Sequence, residues 1–204
     1  VTIQKLRARF AVLFFVFALL SAPNIPLAAA PAFVENEETW VFLPVVTSYQ
    51  PPATLDTVTF TNATARFYTV TGETANQIRN SLNQNRPGSY DAYAAWNFQW
   101  NGCGQDFQVT YTITVDFPEW SPPAAPDDDL VRNWNRYINA LALHEQGHVD
   151  LVVDSIPYFI ETMQNAPCNQ VNATGQQLLD EINQINVQYD EETNHGETQG
   201  AIFP

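Results

Sequence analysis

Positive charge is what this sequence has least of. Only 8 Lys and Arg stand against 22 Asp and Glu over 204 residues, and Lys5 is the sole lysine. Three of the basic residues, Lys5, Arg7 and Arg9, precede an apolar run, so the chain beyond that run holds five basic against 22 acidic residues, a balance of −17. Binding a phosphate backbone requires clustered Lys and Arg, so nucleic acid is not expected as a partner, and an anionic lipid surface is disfavoured for the same reason. Long apolar runs are missing as well. The stretch 10–20 has eleven residues, where a bilayer helix needs roughly 20, so no span is expected after the leader.

That short run has another reading. A positive segment, an apolar stretch, then Ser21, Pro23, Asn24 and Pro26 before the small residues around Ala28, Ala30 and Ala32 describe a secretory signal peptide over residues 1–32. Residues 33–204 then form a single domain, secreted or periplasmic. Cysteine is also scarce, with Cys103 and Cys168 alone. In an oxidising compartment two such thiols are expected to be joined, and a loop of this length gives about 4 kcal/mol of stabilisation in the chain-entropy model.

What is present suits one packed core: 45% hydrophobic and 13% aromatic residues. A strand is expected within residues 40–46, and the β-branched and aromatic segment 57–72 reads as strand turning at Asn62-Ala63-Thr64. Residues 74–83 read as a short helix capped by Thr74. Two further strands, 92–100 and 107–117, are separated by Asn101-Gly102-Cys103-Gly104 and form an antiparallel hairpin. After a proline-rich connection, Asp127-Asp128-Asp129 cap a helix on which Leu130, Trp134, Tyr137, Ile138, Leu141, His144, His148 and Leu151 recur at three- and four-residue steps. Pro157 is expected to end or kink it. Residues 174–187 make a last helix, and Tyr189 to Gly196 read as irregular.

His144-Glu145-Gln146-Gly147-His148 is an HExxH string. Residues four apart on a helix lie one above the other, so two imidazoles converge on one metal while Glu145, offset beside them, is placed as a general base. Nitrogen ligands with an open position suit zinc, whereas calcium and magnesium prefer oxygen. The third ligand must come from elsewhere. Leu151 and Asp154 stand where the metzincin pattern requires Gly and His, and Glu161 and Glu181 have no distinctive flanks. His195 is favoured because it is the one remaining histidine and lies in a turn that can bend back, with Asp190 as the alternative or as its orienting partner. Tyr189 either packs beside the site or donates a hydrogen bond there.

The Tyr68-Thr69-Val70-Thr71-Gly72 strand end, the Trp96 to Trp100 strand, the HExxH helix, the cysteine after it and the terminal Tyr189-Asp190-x-x-Thr193-x-His195-Gly196 together resemble a family of predicted secreted bacterial zinc-dependent proteases, a domain of unknown function. The resemblance covers nearly the whole chain after the leader. It implies Zn2+ held by His144, His148 and His195, with Glu145 catalytic, and a zincin-like α+β fold: a small antiparallel sheet packed on the long HExxH helix, with C-terminal helices. The expected function is hydrolysis of peptide bonds in a peptide or protein substrate. The strand 92–100 either borders the cleft, where extended peptide adds as another strand, or fills the core beneath the helix. A non-catalytic zinc-binding extracellular or envelope module, or a zinc amidase acting on cell-wall peptide, uses the same residues.

Overall fold

The computed structural model describes residues 53–203; the expected leader and the strand expected within 40–46 lie outside them. The β-branched run after Ala63 forms β1 (Thr64–Thr71). Only the second half of the expected strand segment is extended sheet. Residues 53–61 instead lie along the long helix α2 (Asp128–Asn165), zipped to it by polar side chains. Asp128 accepts from the Ala53 N–H, Asn135 binds Thr54 and Asp56, Asn139 donates to Asp56, and Gln146 exchanges two hydrogen bonds with Thr61. Backbone groups that a strand would pair are thus satisfied by a helix surface.

Thr74 caps α1 (Ala75–Asn85) as expected, its hydroxyl accepting from the Gln77 N–H. β2 (Tyr93–Asn101) and β3 (Gln108–Ser121) then form the antiparallel hairpin, with Ala94 opposite Val115 and Trp96 opposite Ile113. β1, however, pairs with β3 in parallel, and the order β1-β3-β2 makes the sheet mixed, not antiparallel as the sequence suggested. A parallel neighbour needs a crossover. Here α1 and β2 supply it, and β3 returns between the two outer strands. Among the described residues the architecture is α+β, with three strands and three α-helices.

α2 packs on the sheet through its apolar stripe, with Phe159 5.1 Å from Phe98 between ring centroids. Pro157 lies inside α2, which continues to Asn165. An interior proline costs about 3 kcal/mol, but Phe159 and Met163 beyond it are fully buried, and each such side chain contributes about 1.5–3 kcal/mol. Packing outweighs the lost hydrogen bond. Cys103 and Cys168 are joined, tying the β2–β3 turn to the turn between α2 and α3 (Val171–Thr193). α3 starts earlier and ends later than expected, so Tyr189 and Asp190 are helical rather than irregular. That extension brings Asp190 to the two histidines of α2.

Candidate metal centre

His144 and His148 sit one turn apart on the buried side of α2, with Glu145 next to His144; the exposures are 3%, 8% and 3% in that order. α3 faces them with Ile182, Asn186 and Asp190, which recur every four residues and so share one stripe. The stripe begins apolar and becomes polar where it meets the histidines. The Nε2 atoms of His144 and His148 are 3.2 Å apart, and each is 3.1 Å from Asp190 Oδ1. Together these three residues form a group of donor atoms able to hold a metal ion.

Hydrogen bonding on the far side of each ring shows what the facing nitrogens carry. The Asn186 amide donates to the Ile182 carbonyl, which can only accept, so its Oδ1 faces His148 Nδ1 at 2.8 Å. His148 must therefore donate from Nδ1, leaving a lone pair on Nε2 in the neutral ring. His144 Nδ1 is likewise 3.0 Å from Gln199 Oε1, while the Gln199 amide donates to the Tyr189 hydroxyl. Two lone pairs and a carboxylate oxygen thus crowd one point. Such a set repels itself unless a cation lies between its members. Donors about 2.0–2.1 Å from a tetrahedral zinc stand roughly 3.3 Å apart, and the spacing of 3.1–3.2 Å found here fits that ion.

The supports are equally specific. Tyr189 stacks on His144 at 5.2 Å and meets His148 edge-on at 5.0 Å. Gly147, inside the HExxH string, makes this possible: a Cβ there would lie 2.2 Å from the Tyr189 hydroxyl oxygen. Asn194, His195 and Gly196 all adopt positive φ, ending α3 and turning the chain over His144, where a Cβ on Gly196 would lie 3.0 Å from the ring. This turn delivers Gln199 to His144. Burial holds the His144 imidazole below its ordinary pKa, with His148 adding to the effect and Gln199 and Asp190 opposing it.

Glu145 is the one buried side chain with an unpartnered polar atom among the described residues, its Oε2. Burial pushes its carboxyl up to about 8; the charge of Asp190 adds to the rise, and a hydrogen bond from the Ala94 backbone of β2 opposes it. Both Glu145 and Ala94 line a cleft of about 710 Å3 shared with the donor group, and Tyr93 and Trp96 line it too. β2 therefore borders the cleft.

His195 lies on the rim, half-exposed and stacked on Tyr90 at 5.1 Å. Its Nδ1 is 3.5 Å from Asp190 Oδ1, so it neighbours the donor group without belonging to it. Asp190, which sequence reasoning placed behind His195, is the residue brought onto the pair. Asp154 and Glu161 are exposed, and Glu181 is bonded to Gln177. None of the three joins the group. Asn186 and Gln199 were missed altogether; for Asn186 the signal was the four-residue step from Leu178 through Ile182 to Asp190.

A family described as bacterial protein of unknown function (DUF922) matches residues 65–196. The chain belongs to this family. The matched stretch spans β1 to Gly196 and so contains all three donors, Glu145 and Asn186, while Gln199 lies just beyond it. No curated protein and no solved structure matches the chain.

Proposed function

We propose that this chain is a secreted or periplasmic zinc metallopeptidase of zincin type, in which His144, His148 and Asp190 hold the ion and Glu145 moves the proton. The observation that carries the reading is the meeting of three acceptor atoms at zinc-like spacing on the wall of an open cleft, beside a buried carboxylate with one oxygen unpartnered. When bound, zinc supplies a Lewis acid that polarises a carbonyl and acidifies water. Glu145, next in sequence to His144, takes a proton from the attacking water and delivers it to the departing amine nitrogen as the C–N bond breaks. Asn186 and Gln199 keep both imidazoles in the tautomer that presents Nε2. Among the described residues β2 is an outer strand of the sheet, and its outer edge offers backbone groups to an extended peptide. The disulfide agrees with an oxidising compartment, and no described helix is long and apolar enough to cross a membrane.

The decisive experiment measures bound zinc and hydrolysis of an unfolded protein substrate and of cell-wall peptide, in wild type and Glu145→Gln. The substitution is expected to keep zinc and abolish turnover. Zinc-loaded wild type that is as inactive as the variant on both substrates would overturn the peptidase reading. A second reading rests on His195: its Nδ1, 3.5 Å from Asp190 Oδ1, makes it available as a fourth protein ligand. A site closed in that way binds zinc without turnover.

A further inference from the structure

The cleft has a second charged end. Arg79 and Arg86 both reach Asp91, Arg79 through Oδ2 at 2.5 Å and Arg86 through Oδ1 at 3.3 Å. Tyr137 donates to the same Oδ2 at 2.6 Å. The three charged side chains and Tyr137 all line the cleft that holds the donor group. Two guanidiniums against one carboxylate leave one positive charge, in a chain with five basic residues beyond its leader.

The two arginines differ in how far they are committed. Arg79 also donates to the Phe203 carbonyl and lies over the rings of Tyr137 and Phe203, at 5.8 and 5.6 Å. Its surroundings are those of a structural tie between α1, α2 and the tail. The Arg86 side chain makes a single hydrogen bond among the described residues, at the long distance of 3.3 Å, and is 28% exposed. A guanidinium has five N–H donors in a planar fork that matches a carboxylate, so most of Arg86 is unspent and faces the cleft. The other carboxylates lining the cleft, Glu145, Asp190 and Glu197, lie on or beside the elements of the metal end.

The separation between the two ends can be measured along two elements. Tyr137 precedes His144 by seven residues on α2, which is about 10 Å at a rise of roughly 1.5 Å per residue. Asp91, in the bend before β2, precedes Ala94, the backbone partner of Glu145, by three residues, at most about 10 Å at roughly 3.4 Å per extended residue. The two rulers are consistent. An extended peptide lying along β2 covers that span with about three residues.

We infer that Arg86, with Arg79 and Asp91 fixing the pocket behind it, binds a carboxylate of the peptide about three residues from the bond to be cut. The position along the substrate rests on the peptidase reading, whereas the binding preference does not. The carboxylate belongs either to a free C-terminus or to an acidic side chain, and the probes separate the two. They are acetyl-pentaalanine with a free carboxylate, its C-terminal amide, and the amide with glutamate at the fourth position. Binding is measured by calorimetry on the zinc-loaded protein and on the metal-free protein.

At least one carboxylate peptide is expected to bind ten- to a hundredfold more tightly than the neutral amide, the range a charge-assisted hydrogen bond supplies. Arg86→Met should reduce that ratio to near one. Raising salt from 50 to 500 mM on the wild type should also shrink the ratio, a readout that needs no variant to fold. Equal binding of all three peptides, failure of all three to bind, a preference that survives Arg86→Met, or one indifferent to salt would each overturn the inference. Retained binding preference without turnover would instead condemn the peptidase reading and leave the subsite standing.

Discussion

The three histidines occupy two kinds of setting. His144 and His148 are buried on one helix, each ring fixed through Nδ1 by an amide oxygen and packed against Tyr189. His195 is half-exposed, in a left-handed turn, stacked on Tyr90 and held by no amide of the described residues. The difference lies in what supports each ring. A donor carried on a packed helix is aimed before any metal arrives, whereas one on a turn must be drawn in. Asp190 belongs with the first pair in this respect, because α3 runs past it to Thr193.

The comparison breaks most sharply on metal affinity. His148→Ala and Asp190→Ala each remove a donor, and zinc affinity measured by chelator competition should fall by more than the ten- to hundredfold typical of outer-sphere changes. His195→Ala should cost less than about tenfold. A larger loss for His195→Ala than for Asp190→Ala would exchange their roles.

The next effect tests the helix that brings Asp190. The disulfide pins the α2–α3 turn to the sheet, and replacing both cysteines with serine should destabilise the protein by up to about 4 kcal/mol in chemical unfolding. His144 and His148 are placed by α2 alone and Asp190 by the packing of α3 on it. Any accompanying loss of zinc affinity should therefore disappear in an Asp190→Ala background. Persistence of the loss there would mean that the disulfide acts on the histidines instead.

A smaller and more local change separates aimed from unaimed rings. Asn186→Ala removes the acceptor that fixes His148 and should weaken zinc by about ten- to a hundredfold. Tyr90→Ala, which removes the neighbour of His195, should leave affinity within about twofold of wild type on the same reasoning. Equal losses from the two would remove the distinction.

The same contrast explains what could be read from sequence. The HExxH face of α2 is a four-residue relation, fixed by helix geometry alone, and its apolar stripe was visible from Leu130 onward. The hairpin of β2 and β3 and the Cys103–Cys168 bridge were equally local or equally constrained. The parallel pairing of β1 with β3 depends on where α1 directs the chain, which no local pattern encodes. Residues 57–60 carry strand-like side chains, yet Asp56 and Thr61 on either side of them are held by Asn135, Asn139 and Gln146 of α2. The approach of Asp190 to the two histidines was not legible because the polar run after Val187 looks unable to stay helical, and tertiary packing on α2 overrides that propensity. Asn186 lay on a legible four-residue step but without a visible role, since an asparagine in an apolar stripe gains meaning only from the histidine opposite.

The last contrast concerns protons in the metal-free protein. Glu145 has its carboxyl pushed up to about 8 by burial, from an ordinary 4.5. Between those values the folded chain holds a proton there that the unfolded chain has released. Raising the pH through this window therefore favours unfolding, by roughly 1.4 kcal/mol per pH unit at most. His144, held below its ordinary range, acts oppositely: its contribution is lost as pH falls. Comparing wild type with Glu145→Gln cancels most of that background. The stability of metal-free wild type relative to the variant should decline from pH 5 to pH 8 and then level. Zinc places positive charge beside the carboxylate and should abolish the slope. A difference between the two proteins that is independent of pH without metal would mean that Glu145 is already ionised in its buried site.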